Sequence, residues 1–181
     1  MNGEGSIKYE NFRVEKMQKL RRTFSPSAMM AETRIADATP GVIAKYALST
    51  EQVLLAKLRY NHLIDIFTGV PSHSLQSHFH TFIPNVGQAE ADEIYIGLDR
   101  KGAHYVFPVY VKRGKDKLRI AQIEQGFAIC AAKFPAFISR PFAAQFVTDD
   151  IIALFDFEKN KNGIFIYAEK HYRLISPQDL I

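Results

Sequence analysis

The feature that most constrains this chain is its hydrophobic period, which changes twice between Thr50 and Phe146. From Ser49 to Gly69, Val53, Leu54, Leu58, Leu63, Ile64 and Phe67 recur near helical spacing. Ser49 or Thr50 can cap this helix, Glu51 and Gln52 suit its first turn, and Gly69 followed by Pro71 suits its end. The period then drops to that of a strand. HSLQSHFHTFI alternates from about Leu75 to Ile83 and stops at Pro84, Asn85 and Gly87. EADEIYIGLD alternates next, with Ile94, Ile96 and Leu98 on one face. After a turn at Arg100-Lys101-Gly102, HYVFPVYVK returns as a strand over His104–Lys112. Pro108 inside that run argues for an edge position or a bulge.

The helical period resumes after the polar loop that follows Lys112. Asp116 is a plausible cap, and Leu118, Ile120, Ala121, Ile123, Phe127, Ala128 and Ala131 form an apolar face up to about Phe134. PAFISRPFAAQFV reads as a strand bent at Pro141. IIALFDFE and GIFIYAEKHYRLI pair as a hairpin through KNKNG. Upstream, EKMQKLRRTF predicts a short helix, interrupted later by Pro26 and Pro40. The organisation expected is an N-terminal arm, residues 1–48, packed on one domain at 49–181 with a β-rich tail. The fold class expected is α/β (α+β), a mixed central sheet flanked by helices.

Composition narrows the class further. The chain has 181 residues, 47% apolar and 23% charged, which suits one globular domain and excludes collagen, coiled coil or wholesale disorder. No apolar run approaches the ~18 residues that cross a bilayer. MNGEGSIKYENFRVEKMQKLRR lacks a hydrophobic signal core. Cys130 is the single cysteine and has no internal partner for a disulfide. The expectation is a soluble cytoplasmic protein without a membrane partner. The net charge of +4 permits nucleic-acid contact without requiring it. The basic residues gather in two groups, Lys16, Lys19, Arg21 and Arg22, then Lys112, Arg113, Lys115, Lys117 and Arg119.

Chemistry concentrates between Gly87 and Gln125. Glu90, Asp92 and Ile94 share one face of their strand, and Pro108, Tyr110 and Lys112 share one face of the next. A turn that sets Leu98 opposite Tyr105 sets Asp92 opposite Val111, and a slip of one residue brings the two faces together. Carboxylates and an ammonium converging there suit phosphodiester hydrolysis. Oxygen ligands hold Mg²⁺, and a lysine orients water and stabilises phosphate charge. Arg113, Lys115, Lys117 and Arg119 would hold the flanking backbone. The competing reading makes Asp92 and Glu93 surface acids and Lys112 a solvated strand end.

These residues resemble the PD-(D/E)XK nuclease superfamily, with its restriction-endonuclease-like fold. The pieces that carry the resemblance are TEQVLLAKLRYNHLIDIFTG, GQAEADEIYIGLD, YVFPVYVKRGKDKL, QIEQ and FPAFISRPFAAQF, a little over half of the chain. The resemblance implies a Mg²⁺-dependent DNA endonuclease of the restriction type, commonly a homodimer. By position it implies Asp92 as the first acid, with Glu93 the nearby alternative, and Lys112 as the motif lysine. Gln122 falls on the following helix, where many members place a glutamine, and Glu51 falls where some place a further acid.

One position departs from the pattern. The residue two before the lysine is an acid, or sometimes Gln, in the family, and here it is Tyr110. A neutral phenol is a poor Mg²⁺ ligand. One reading, implied by the resemblance to restriction enzymes that take this ligand from the helix after the lysine, has the missing carboxylate supplied by Glu124, 12 residues beyond Lys112, or by Glu90. Otherwise catalysis is lost and the chain is a nucleic-acid-binding or assembly subunit. His73, His78 and His80 suggest a zinc site only weakly, because no further ligand motif accompanies them. Cys130 reads as core, and no hydrolase or phosphate-loop motif is present.

Overall fold

The computed structural model describes residues 22–180. Most of EKMQKLRRTF, with Lys16, Lys19 and Arg21, lies outside them, and its last two residues, Thr23–Phe24, form strand β1. Strand β2 is Glu32–Ala36, and helices α1 (Gly41–Tyr46), α2 (Thr50–Tyr60) and α3 (Leu63–Thr68) follow. The meander comprises β3 (Ser72–Ile83), β4 (Gly87–Leu98) and β5 (His104–Lys112). Then come β6 (Leu118–Arg119), helix α4 (Ile120–Lys133), β7 (Ile138–Ser139), β8 (Phe142–Phe146), β9 (Ile151–Asn160) and β10 (Gly163–Ile175). A 3-10 turn at Pro177–Leu180 follows β10.

These elements make a mixed sheet of eight strands in the order β2-β10-β9-β8-β5-β4-β3, with β7 beside β5, flanked by helices on both faces. β8 runs parallel to β5 after the α4 crossover, and β9 returns antiparallel. The faces follow from strand alternation. Tyr105, Phe107, Val109 and Val111 turn to α2 and α3, against Leu54, Leu58 and Leu63. Val106 and Tyr110 turn to α4, against Ile123 and Cys130. Leu58 and Leu63 have no exposed surface, and each such burial stabilises the fold by about 2 kcal/mol. Phe142–Phe146 is buried along its whole length, as expected of a central strand covered on both sides.

The helix expected over 49–69 forms as two. Ser49 Oγ accepts the Gln52 N–H at 3.2 Å, as its capping role requires. His62 at φ 50 then breaks the helix after Asn61, and Gly69 at φ 70 closes the second piece. Two sequence expectations are corrected. Pro108 is not on an edge strand, because β5 lies between β4 and β8. It is tolerated because β5 pairs with β7 at Tyr105 and Val106 and with β8 only from Val109, so Pro108 falls at the break. Asp116 does not cap α4. Leu118 and Arg119 pair with β1 instead, and the helix begins at Ile120. Among the described residues no helix is long and apolar enough to cross a membrane.

Candidate phosphate-binding notch

The register between β4 and β5 decides where the charged residues meet. Leu98 lies opposite His104 and Glu93 opposite Val109, one residue away from the turn geometry the sequence suggests. Asp99 sets this register, since its carboxylate accepts the N–H groups of Lys101 and Ala103 at 2.8 and 2.9 Å. The pairing of β4 with β5 ends at Glu93 and Val109. Beyond that point β4 stays with β3 down to Gly87, while β5 stays with β8 through Lys112. The two strands therefore part and open a notch. At its apex Asp92 Oδ2 accepts the Val111 N–H at 2.8 Å, a side chain standing in for the lost ladder bond.

Asp92 lies near Lys112 at the apex of the notch, while Glu90 and Asp116 are the carboxylates that line a cleft beside Lys112. Burial pushes the Asp92 carboxyl above the ordinary carboxylate value, while the Val111 N–H and the nearby Lys112 ammonium pull the other way. Glu90, His78 and the Tyr110 phenol are further titratable neighbours. Glu90 is exposed and sits 3.5 Å from His80 Nδ1. The cleft beside Lys112 is polar and holds about 470 Å³, lined by the acids Glu90 and Asp116, by Lys112, Lys117 and Arg119, and by Gln122 and Gln125. Gln122 also accepts the Arg119 N–H at 3.4 Å, which ties the start of α4 to the cleft wall.

Several residues singled out in the sequence go elsewhere. Glu124 lies outside the cleft lining, and its Oε1 pairs with Lys159 Nζ at 2.7 Å. Glu93 faces α2, fully buried, where Arg59 Nε and Nη2 hold it at 2.7 and 2.6 Å and Ser74 donates to it. Arg113 pairs with Glu51 and Asp116, both at 3.1 Å. Glu51 is thereby taken up as that partner. Lys115 is exposed on the turn beyond β5. His73, His78 and His80 do not assemble with other ligands, and among the described residues no three His, Cys, Asp or Glu side chains are placed to hold a metal. Cys130 is buried, and burial pushes its thiol up to about 11.

Tyr110 fills the place of the expected acid. It is 2% exposed, and among the described residues its hydroxyl has no partner. Burial is the main cause that holds the phenol protonated, with Cys130, Asp92 and Glu90 adding to it. α4 packs close over the ring, since a Cβ on Gly126 would come 3.2 Å from Tyr110 Cε2. The carboxylates around Lys112 are Asp92, with one oxygen engaged by Val111, the exposed Glu90, and Asp116, which pairs with Arg113. Among the described residues they do not make up the converging oxygen set that fixes Mg²⁺. Gln125 and Gln145 were missed in the sequence. Gln125 lies one helical turn from Gln122 on the same face, a pairing that helical spacing could have revealed. No protein-family model, no curated protein and no solved structure matches the chain.

Proposed function

We propose that this chain is a restriction-endonuclease-like protein that grips the DNA backbone at the notch between β4 and β5. Hydrolysis is lost at Tyr110 in this reading, and the chain serves as a binding or assembly subunit. The order of the central elements supports the family assignment: a three-strand meander, a helical crossover, then a strand parallel to the third. The observation that carries the function is the splaying of β4 from β5. It leaves Lys112 on the wall of a polar cleft with Lys117, Arg119, Gln122 and Gln125, where three cations face the two carboxylates Glu90 and Asp116. Cations and amide donors around an open cleft suit a phosphodiester. The test is the affinity for a short DNA duplex as salt is raised. Wild type should bind with a steep salt dependence, and Lys112→Ala should lower the slope by about one. Single-stranded DNA and RNA in the same assay separate the nucleic-acid classes.

A second reading keeps catalysis, as a Mg²⁺-dependent endonuclease of the restriction type acting as a homodimer. The closeness of Asp92 and Lys112 favours it. Plasmid cleavage with Mg²⁺ decides between the two. Cleavage by wild type that vanishes in Lys112→Ala supports the enzyme. Cleavage seen only in Tyr110→Glu supports the binding protein.

A further inference from the structure

We infer that Gln145 shapes the turn Arg113–Lys117 into a backbone cradle for a DNA phosphate, an inference that rests on the nucleic-acid reading above. Gln145 lies on β8 opposite Lys112 and is 3% exposed. Its Nε2 donates toward three main-chain carbonyls of the turn: Arg113 at 3.2 Å, Gly114 at 3.0 Å and Asp116 at 2.8 Å. A glutamine is the fitting side chain at that point, because a carboxylate would repel three carbonyl oxygens and a leucine would leave them unsatisfied.

The carbonyl directions fix those of the amides. A trans peptide is planar and its N–H points opposite to its C=O. No cis peptide bond occurs among the described residues. Carbonyls 113, 114 and 116 point inward to buried Gln145, so the N–H groups of Gly114, Lys115 and Lys117 point outward. Arg113 through Lys117 are all exposed. Among the described residues none of those three N–H groups has an acceptor, whereas the Asp116 N–H is used by the Arg113 carbonyl at 3.0 Å. Lys112 and Lys117 stand beside them at the cleft, with the carboxylates of Glu90 and of Asp116, the latter paired with Arg113 at 3.1 Å. Outward amides flanked by ammonium groups are the chemistry that binds a phosphate oxygen. Gln145 touches no phosphate in this arrangement and acts as a positioning residue.

The experiment uses the whole chain, with Gln145→Leu and Gln145→Glu compared in two assays. Trypsin should cut the native variants faster after Arg113, Lys115 and Lys117. Affinity for a short DNA duplex should fall about tenfold, the size of one charge-assisted hydrogen bond. The loss should persist when Gln145→Leu is added to Lys115→Ala and Lys117→Ala, because the amides remain there to be misplaced. A turn that only presented lysines would lose nothing more in that background, and that result overturns the cradle. A loosened turn with unchanged DNA affinity also overturns it while leaving the nucleic-acid reading intact. Wild type without salt-sensitive binding overturns both. The wild-type amides of Gly114, Lys115 and Lys117 serve if the variants do not fold: their resonances should shift on adding the duplex, and still resonances contradict the cradle.

Discussion

Asp92 and Glu93 are neighbours in the chain with the same charge, and the sheet gives them opposite uses. Glu93 turns to α2 and is fully buried, clasped by Arg59 and Ser74. Among the described residues its second oxygen has no hydrogen-bond partner. Asp92 holds the Val111 N–H at the apex of the notch and shares its surroundings with Lys112 and Glu90. The first is part of what keeps α2 on the sheet. The second keeps charge at an opening where a ligand can reach its neighbours. Strand alternation separates the two roles by a single residue, so an acid adjacent to a motif position is no substitute for it.

The largest effect should come from breaking the buried side of this comparison. Arg59→Ala leaves the Glu93 carboxylate buried without its cation and should cost about 3 kcal/mol in urea unfolding. Adding Glu93→Gln should recover part of that loss, and the folded variants should bind DNA as wild type does. Next comes the open side. Lys112→Ala should weaken DNA binding about tenfold while stability stays within about 1 kcal/mol of wild type. The reverse outcome, a large stability loss with unchanged binding, would make the notch a structural feature.

The smaller effects concern pH. Burial raises the Asp92 carboxyl above its ordinary value, so the folded state holds a proton that the unfolded chain releases. Its contribution to stability therefore falls as pH rises from the ordinary value through the raised one. Asp92→Asn should accordingly be the more stable protein at neutral pH, with a flatter profile in that window, and it should bind DNA more tightly by removing one repelling charge. Asp37 behaves in the opposite sense. Burial opposes its ionisation, but Thr39, Lys57 and Asn61 together outweigh that and lower its carboxyl from 3.8 to about 2. Its stabilisation is present above the ordinary value and is lost as pH falls from about 4 to about 2. Thermal unfolding of Asp37→Asn across that range should show a reduced acid limb.

Much of the architecture was legible because it is written in local period. β5 spans His104–Lys112 as the alternation indicates, and the Lys161–Asn162 turn joins β9 to β10 within KNKNG. The site was less legible because it depends on register and distant partners. The carboxylate of Asp99 moves the β4–β5 pairing by one residue, and that decides which charges face one another. Glu124 finds Lys159, 35 residues away, which its own helix gives no sign of. Arg59 and Ser74 claim Glu93 from separate elements. Gln145 reads as one polar residue in an apolar strand, and only the fold brings the turn after β5 onto its amide.

The central claim is that the notch beside Lys112 receives the nucleic-acid backbone. Amide resonance mapping during titration with a short DNA duplex tests it most directly. The account predicts that the shifts gather on Val111–Arg119 and on Gln122 and Gln125 at the start of α4. Shifts centred instead on the separate cavity lined by Phe127, Arg140, Asp156 and Lys159, or no shifts at low salt, would contradict it.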